Sequence, residues 1–321
     1  MLSRVADNLY WLSRYLERAE HTARVLELTL NLLLEQTSGE DMQTRMNRVL
    51  EGLFAQSLPE DASLYDMTNA LAFDVKNPAS ISFCLAKARE NARQIREQIS
   101  SEMWEQLNAL YLEITNTSID DVWRNQTTHQ HFRKIKEGAQ LFQGLAASTM
   151  SRNECWQFLQ LGRYIERATY NAHFLDVQIA ELQKSEHYPV VAKDFMNWVG
   201  LLKCFTAFEA YCKVYTADLR PDRIIEFLLL NSEFPHSIRF SIDKMEQALN
   251  AIEEMTEEKR SGKLRRLVGK LRSDLRFSQI DEILESGLAN FLEGIQRQNA
   301  KIHNGIYDVY ITYPIDQAIA Q

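Results

Sequence analysis

The chain has 321 residues, with 36 basic and 44 acidic side chains for a formal net charge of −8. That acidic balance argues against a general nucleic-acid binder, the lack of an 18-residue apolar run argues against a membrane span, and 11 Gly with 6 Pro suit long helices with few turns. Cys84, Cys155, Cys204 and Cys212 show no CxxC spacing and the N-terminus has no apolar leader run, so buried thiols in a reducing cytoplasm are expected.

From the N-terminus, Val5, Leu9, Leu12, Leu16, Ala19, Ala23, Leu26, Leu30 and Leu33 recur at alternating steps of four and three, the seam of a bundled helix. At about 100° per residue, Tyr10, Val25, Leu28 and Leu32 point the other way. A helix apolar on two sides is expected to be central. After the start signal Asn77-Pro78, Ile81, Leu85, Ala88, Ala92, Ile95 and Ile99 mark another helix. Asp120 and Asp121 open a third, predicted to run unbroken to Ala147. The two-sided pattern then returns: Phe158, Leu161, Ile165, Ala168, Ala172, Leu175, Ile179 and Leu182 form a seam, with Trp156, Leu159, Phe174 and Val177 opposite.

Trp198, Leu202, Phe205, Phe208 and Cys212 predict one further helix. Pro221-Asp222 opens a short apolar helix through Leu230, and Pro235 opens one to about Met255. Thr256 to Lys263 reads as an exposed loop or frayed end. Ser278, with Asp281 and Glu282, caps a final long helix to about Asn304. Tyr307 to Tyr313 alternates like a strand, which suggests a short extended tail. Pro59, Pro78, Pro189, Pro221, Pro235 and Pro314 all sit between helical segments. The expected fold is all-α, a single helical bundle.

One segment occurs twice. Arg14-Tyr15-Leu16-Glu17-Arg18-Ala19 matches Arg163-Tyr164-Ile165-Glu166-Arg167-Ala168. The windows Leu12 to Leu26 and Leu161 to Leu175 agree at eight of fifteen positions, where average usage predicts about one. This organises the chain into two related halves, 1–150 and 151–321, expected to merge into one bundle.

Each copy sets charge into an apolar helix. Arg14, Arg18 and His21 share the face opposite the first seam, with Glu17 beside them. Arg163, Arg167 and Tyr170 take those places in the second copy, with Glu166 alongside. Arg89, Arg93 and Arg96 form a third stripe. Arginine and glutamate are seldom buried unless paired. On one account Glu17 and Glu166 accept forked hydrogen bonds from arginines of neighbouring helices and fix how the halves dock. On the other, surplus arginines line a cleft for an anionic ligand, because the seven arginines outnumber Glu17, Glu90, Glu97 and Glu166. The repeats also diverge: His173 stands where the first copy has Arg24, and Thr169 where it has Glu20.

Other chemistry finds little support. A di-iron carboxylate site needs Glu-x-x-His, whereas Glu17 and His21 are four apart and Tyr170 replaces His21, so no metal is implied. His129-x-His131 reads as a solvated helix face. No nucleophile elbow, Walker loop or GxGxxG loop occurs, so no cofactor is implied.

With those residues laid out, the chain resembles the alpha-E domain family, bacterial all-helical proteins named for a Glu-Arg motif. The resemblance rests on MLSRVADNLYWLSRYLERAE, NPASISFCLAKARENARQIRE, LGRYIERA and PDRIIEFLLLNSEFPHS, in that order. The family motif falls on Glu17-Arg18 and Glu166-Arg167. Proteins similar to this one are typically encoded beside circularly permuted ATP-grasp proteins and transglutaminase-like proteases. The resemblance therefore implies a place in an amide-ligase or peptide-modification system, and supplies no catalytic residue. The leading expectation is a non-hydrolytic helical partner of an ATP-grasp amide ligase, binding it or an anionic substrate through Arg14, Arg18, His21, Arg89, Arg93, Arg96, Arg163, Arg167 and Tyr170. One alternative makes the chain a ligase or transferase subunit with Glu17 or Glu166 as general base. Another makes the charged network purely structural.

Overall fold

A computed structural model describes residues 3–34, 42–182, 192–216, 218–256 and 261–312. The described residues are helical, with no strand among them. The first half contains α1 (Ser3–Leu34), α2 (Met42–Gly52), α3 (Leu64–Thr68) running into a π-turn (Asn69–Phe73), α4 (Ile81–Gln94), α5 (Ser101–Thr115), α6 (Ile119–Arg124) and α7 (Thr128–Thr149). The second contains α8 (Glu154–Leu182), α9 (Ala192–Cys204), α10 (Phe208–Tyr215), α11 (Pro221–Leu230), α12 (Ile238–Thr256), α13 (Gly262–Phe277), α14 (Ile280–Ser286) and α15 (Leu288–Ile306), which passes into a π-turn at Tyr307–Ile311. Among the described residues no helix is long and apolar enough to cross a membrane.

The two-sided helices are central. Leu9, Leu12, Leu16, Ala19, Ala23, Leu26 and Leu30 are buried on the seam of α1, and Tyr10 and Val25 are buried on its other side. On α8, Phe158, Leu161, Ile165, Ala168, Ala172, Leu175 and Ile179 are buried, as are Leu159 and Phe174 opposite. The side chains of Leu33 and Leu182 lie outside the described residues. So do Pro189, Tyr313 and Pro314.

α1 and α8 lie side by side and run the same way. Tyr10 faces Gly162, Arg14 faces Glu166, and His21 meets Tyr170 and Phe174. α4 and α7 pack on α1 with α5 behind them, and α12 and α15 pack on α8 with α13 behind them. The helix that follows each central one crosses to the other group: α2 rests mainly on α8, and α9 rests on α1.

Matching turns introduce α4 and α12. Ser80 Oγ accepts from Phe83 N and donates to Asp74 O, while Ser237 Oγ accepts from Phe240 N and donates to Asn231 O. Each serine thus caps its helix and ties down the turn before it.

Several predicted elements differ in detail. The helix expected from Asp120 to Ala147 is two, because Asn125 ends α6 and Gln126 turns left-handed at φ 54° before α7 restarts. The segment from Trp198 to Cys212 is also two helices, broken where Thr206 adopts φ 53° and Ala207 N reaches back to Leu202 O at 2.7 Å. Gly287, at φ 101°, divides the last predicted helix into α14 and α15. Ser278 does not cap it: Gln279 takes that position, and the Ser278 hydroxyl donates to Asp274 O. Gly262 and Lys263 are already helical, and Ser261 before them is buried. Tyr307–Ile311 is a helical turn rather than a strand-like tail, because its carbonyls find partners within the coil. Cys84, Cys155 and Cys204 are buried free thiols, and Cys212 is half-buried.

Candidate functional site

The two Arg-Tyr-x-Glu-Arg segments meet where α1 and α8 cross. Gly162 permits the approach: a Cβ there would lie 2.1 Å from Tyr10 O. The helices can therefore touch backbone to backbone, bringing long charged side chains into each other's reach.

The pairing is reciprocal. Glu166 on α8 accepts from Arg14 Nε at 2.5 Å and from Arg18 Nε at 2.7 Å, both from α1. Glu17 on α1 accepts from Arg167 Nε at 2.5 Å, and Arg163 Nε lies 3.6 Å from its other oxygen. Each carboxylate is thus held by the arginines of the other segment, not by those of its own helix. Both are deeply buried, Glu166 with 1% of its side chain exposed. Burial works to raise both carboxyls. The facing guanidinium groups, Arg167 and Arg163 for Glu17 and Arg14 and Arg18 for Glu166, outweigh it and hold both below the usual carboxylate range.

The matching turns complete the arrangement. Arg167 Nη1 donates to Pro235 O at 3.0 Å, and Arg18 Nη1 points to Pro78 O at 3.5 Å. Phe83, three residues beyond the Ser80 cap, packs edge-on to Tyr15, and Phe240 does the same to Tyr164.

A second layer surrounds this core. Arg24 pairs with Glu20 one turn away, both buried, and Gln140 and Gln143 reach in from α7 to Glu20 and Glu17. On the other side Arg14 Nη1 contacts Tyr10 Oη at 3.3 Å and His303 Nδ1 at 3.1 Å. A guanidinium only donates, so Nδ1 is the acceptor and His303 is neutral. Burial, then Arg14, lowers its imidazole to about 4. The indole N–H of Trp11 donates to the Tyr307 hydroxyl, which donates to Asp7 Oδ1 at 2.7 Å. These bonds tie the end of α15 to the start of α1.

His21 is buried between Tyr170 and Phe174, each edge-on to it, and its Nε2 has no partner among the described residues. Burial, then the charge of Arg24, lowers it to about 3. Tyr170 is buried beneath the Arg18 guanidinium. Arg14, Arg18, His21, Arg163, Arg167 and Tyr170 therefore converge.

Arg89, Arg93 and Arg96 do not join them. Arg89 donates to Asn108 at 2.7 Å and lies over the Tyr111 and Trp104 rings, Arg93 pairs with Glu90 in solvent, and Arg96 lies over Trp104. Their stripe faces α5 and solvent rather than the crossing. His131 is not on a solvated face: it is buried and stacked on Phe73, while His129 is exposed beside Glu27. Burial lowers His131 to about 4.

Gln140, Gln143 and His303 escaped the sequence reading, and Tyr10, Glu20 and Arg24, though named in it, were not expected in the site. The two turns carried a usable signal, since Pro78-x-Ser80-Ile81-x-Phe83 recurs as Pro235-x-Ser237-Ile238-x-Phe240. The divergence between repeats has a structural counterpart. Arg24 and Glu20 pair with each other, whereas His173 stacks on Phe54 at 3.8 Å and Thr169 donates to Ile165 O. Among the described residues, no three His, Cys, Asp or Glu side chains gather as a metal site would need.

Against known proteins, the model of the Alpha-E family, described as a predicted alpha-helical domain with a conserved ER motif, matches residues 1–311. Uncharacterized proteins of Mycobacterium bovis and Mycobacterium tuberculosis are 20% identical to the chain across 95% of its length. The aligned region spans 36% of those longer relatives. No solved structure matches.

Proposed function

The chain belongs to the Alpha-E family, and from that premise we propose that it is a non-hydrolytic helical partner of an ATP-grasp amide ligase. The setting is a bacterial, cytoplasmic peptide-modification or peptide-synthesis system that also includes a transglutaminase-like protein. The chain binds the ligase, or presents an anionic substrate to it, at the crossing of α1 and α8. One observation carries this reading. Five guanidinium groups (Arg14, Arg18, Arg24, Arg163, Arg167) surround three carboxylates (Glu17, Glu20, Glu166), leaving a surplus of two positive charges. Charge held out of water calls for a counter-charge, and an acidic partner or substrate supplies one. The length of the mycobacterial relatives supports a cooperative role, because in them this helical region is part of a larger chain. The repeated segments and their reciprocal bonds also support halves 1–150 and 151–321 as copies of one unit.

The general-base alternative fits less well. A carboxylate held against guanidinium groups is a poor proton acceptor: Glu166 is clamped by Arg14 and Arg18, and Glu17 is held by Arg167 with Arg163 3.6 Å away. The structural alternative is favoured by the depth of Glu17 and Glu166, and it shares the crossing with the proposal. Co-purification with the ATP-grasp protein separates them. Complex formation that weakens in Arg18→Ala and Arg163→Ala, with both variants folded, supports the partner role. Unchanged complex and unchanged ligase activity in both leave the network a purely structural device.

A further inference from the structure

We infer that the crossing of α1 and α8 holds one anion seat, on the Glu17 side, where Arg163 is the free hand of the cluster and receives a carboxylate or phosphate oxygen beside His236. This deepens the proposed binding role and rests on it.

The argument is an asymmetry between two otherwise matching halves. Glu166 takes two short bonds, and its partner Arg14 is further occupied by Tyr10 and His303. Both Nε donors on that side are taken up by Glu166. Glu17 takes one short bond, from Arg167, whose Nη1 is also satisfied by Pro235 O. Arg163 stands off at 3.6 Å, and its Nε has no hydrogen-bond partner among the described residues. A buried guanidinium N–H without an acceptor is costly, and proteins rarely leave one without a use.

The surroundings suit an anion. The α11–α12 turn lays Pro235 and His236 across Arg167, held by Asn171 Nδ2 donating to His236 O at 2.7 Å. The idle Nε2 of buried His21 belongs to the same cluster. Burial, and after it the nearby cations Arg167, Arg24 and Arg163, holds the His236 imidazole well below its ordinary value, so it stands neutral beside them. Solvent reaches part of the Arg163 side chain, 23% exposed against 2% for Arg167, although its Nε is buried. An Arg fork donates to two oxygens of a carboxylate or a phosphate equally well by shape, so the shared chemistry is a small oxyanion.

The test is isothermal titration of the whole chain with inorganic phosphate and, separately, acetate, at constant ionic strength in chloride. Saturable binding of either is expected, weakened at least tenfold in Arg163→Gln, partly retained in Arg163→Lys, and changed less than twofold in Arg133→Gln on the exposed face of α7. Binding of phosphate alone assigns a phosphoryl-bearing ligand, and binding of acetate alone a carboxylate. Binding that survives Arg163→Gln but is lost in Arg18→Gln overturns the placement and leaves the binding role standing. No saturable binding of either anion overturns the seat itself, while the ligase partnership is judged by complex formation alone.

Discussion

Arg14 and Glu166 stand 152 residues apart in the chain and 2.5 Å apart in space. Their bond is one half of an exchange in which each Arg-x-x-Glu-Arg segment neutralises the carboxylate of the other. That exchange, set between two buried helix faces, explains why two helices with apolar faces on both sides tolerate so much charge.

Removing one partner should therefore be expensive. Glu166→Gln leaves Arg14 and Arg18 buried without a counter-charge and is expected to cost about 3–5 kcal/mol. Glu17→Gln, which releases one short bond and one long one, should fall at the lower end. Urea unfolding at constant m-value measures both, and losses under about 1 kcal/mol would mean the network carries little stability.

The close crossing makes a backbone prediction. Gly162→Ala places a methyl 2.1 Å from Tyr10 O, so α1 and α8 must separate. Overpacking of this kind costs about 1–3 kcal/mol. Gly144→Ala, on an exposed helical position with nothing within 4 Å, should instead stabilise by about 0.5–1 kcal/mol. Thermal unfolding of the two variants should move in opposite directions.

Much of this was legible in sequence, and the limits have physical reasons. The alternating steps on α1 and α8 marked the buried seams because burial demands that spacing. The helix breaks at Gln126 and Thr206 were hidden, since both adopt positive φ without glycine. α13 was missed altogether: its buried stripe of Leu264, Val268, Leu271 and Leu275 is thin within a run of lysines and arginines. Which arginine meets which glutamate was not readable either. Glu17 has Arg14 and Arg18 as near neighbours on its own helix, and only the parallel packing of α8 redirects them to Glu166.

Acid should unfold the protein in two stages. His21 is held neutral with its imidazole lowered to about 3, while the unfolded chain protonates near its ordinary value. Its contribution is whole above about pH 6.5 and is lost as pH falls toward the folded value, amounting to about 2 kcal/mol between pH 7.5 and 5. Glu17 and Glu166, with lowered carboxyls, stabilise above the ordinary carboxylate value and give that up only below about pH 4. Chemical denaturation across this range should show the first loss shrink by about 2 kcal/mol in His21→Leu, the remainder belonging to the buried His131, His236 and His303, and the second loss persist.

Asn299 is a separate weak point. It is buried on α15 in line with Leu292, Ile295 and Ile302, and neither its amide nitrogen nor its oxygen has a partner among the described residues. Asn299→Leu keeps the branched heavy-atom shape and removes the unpaired amide, so a gain of about 1–2 kcal/mol in urea unfolding is expected.

The exchange itself is tested most directly by double-mutant cycles. Arg14→Gln with Glu166→Gln, and Arg167→Gln with Glu17→Gln, should show coupling above about 1 kcal/mol, while Arg14→Gln with Glu17→Gln should couple more weakly. Coupling that is strongest within α1, between Arg14 and Glu17, would contradict the account.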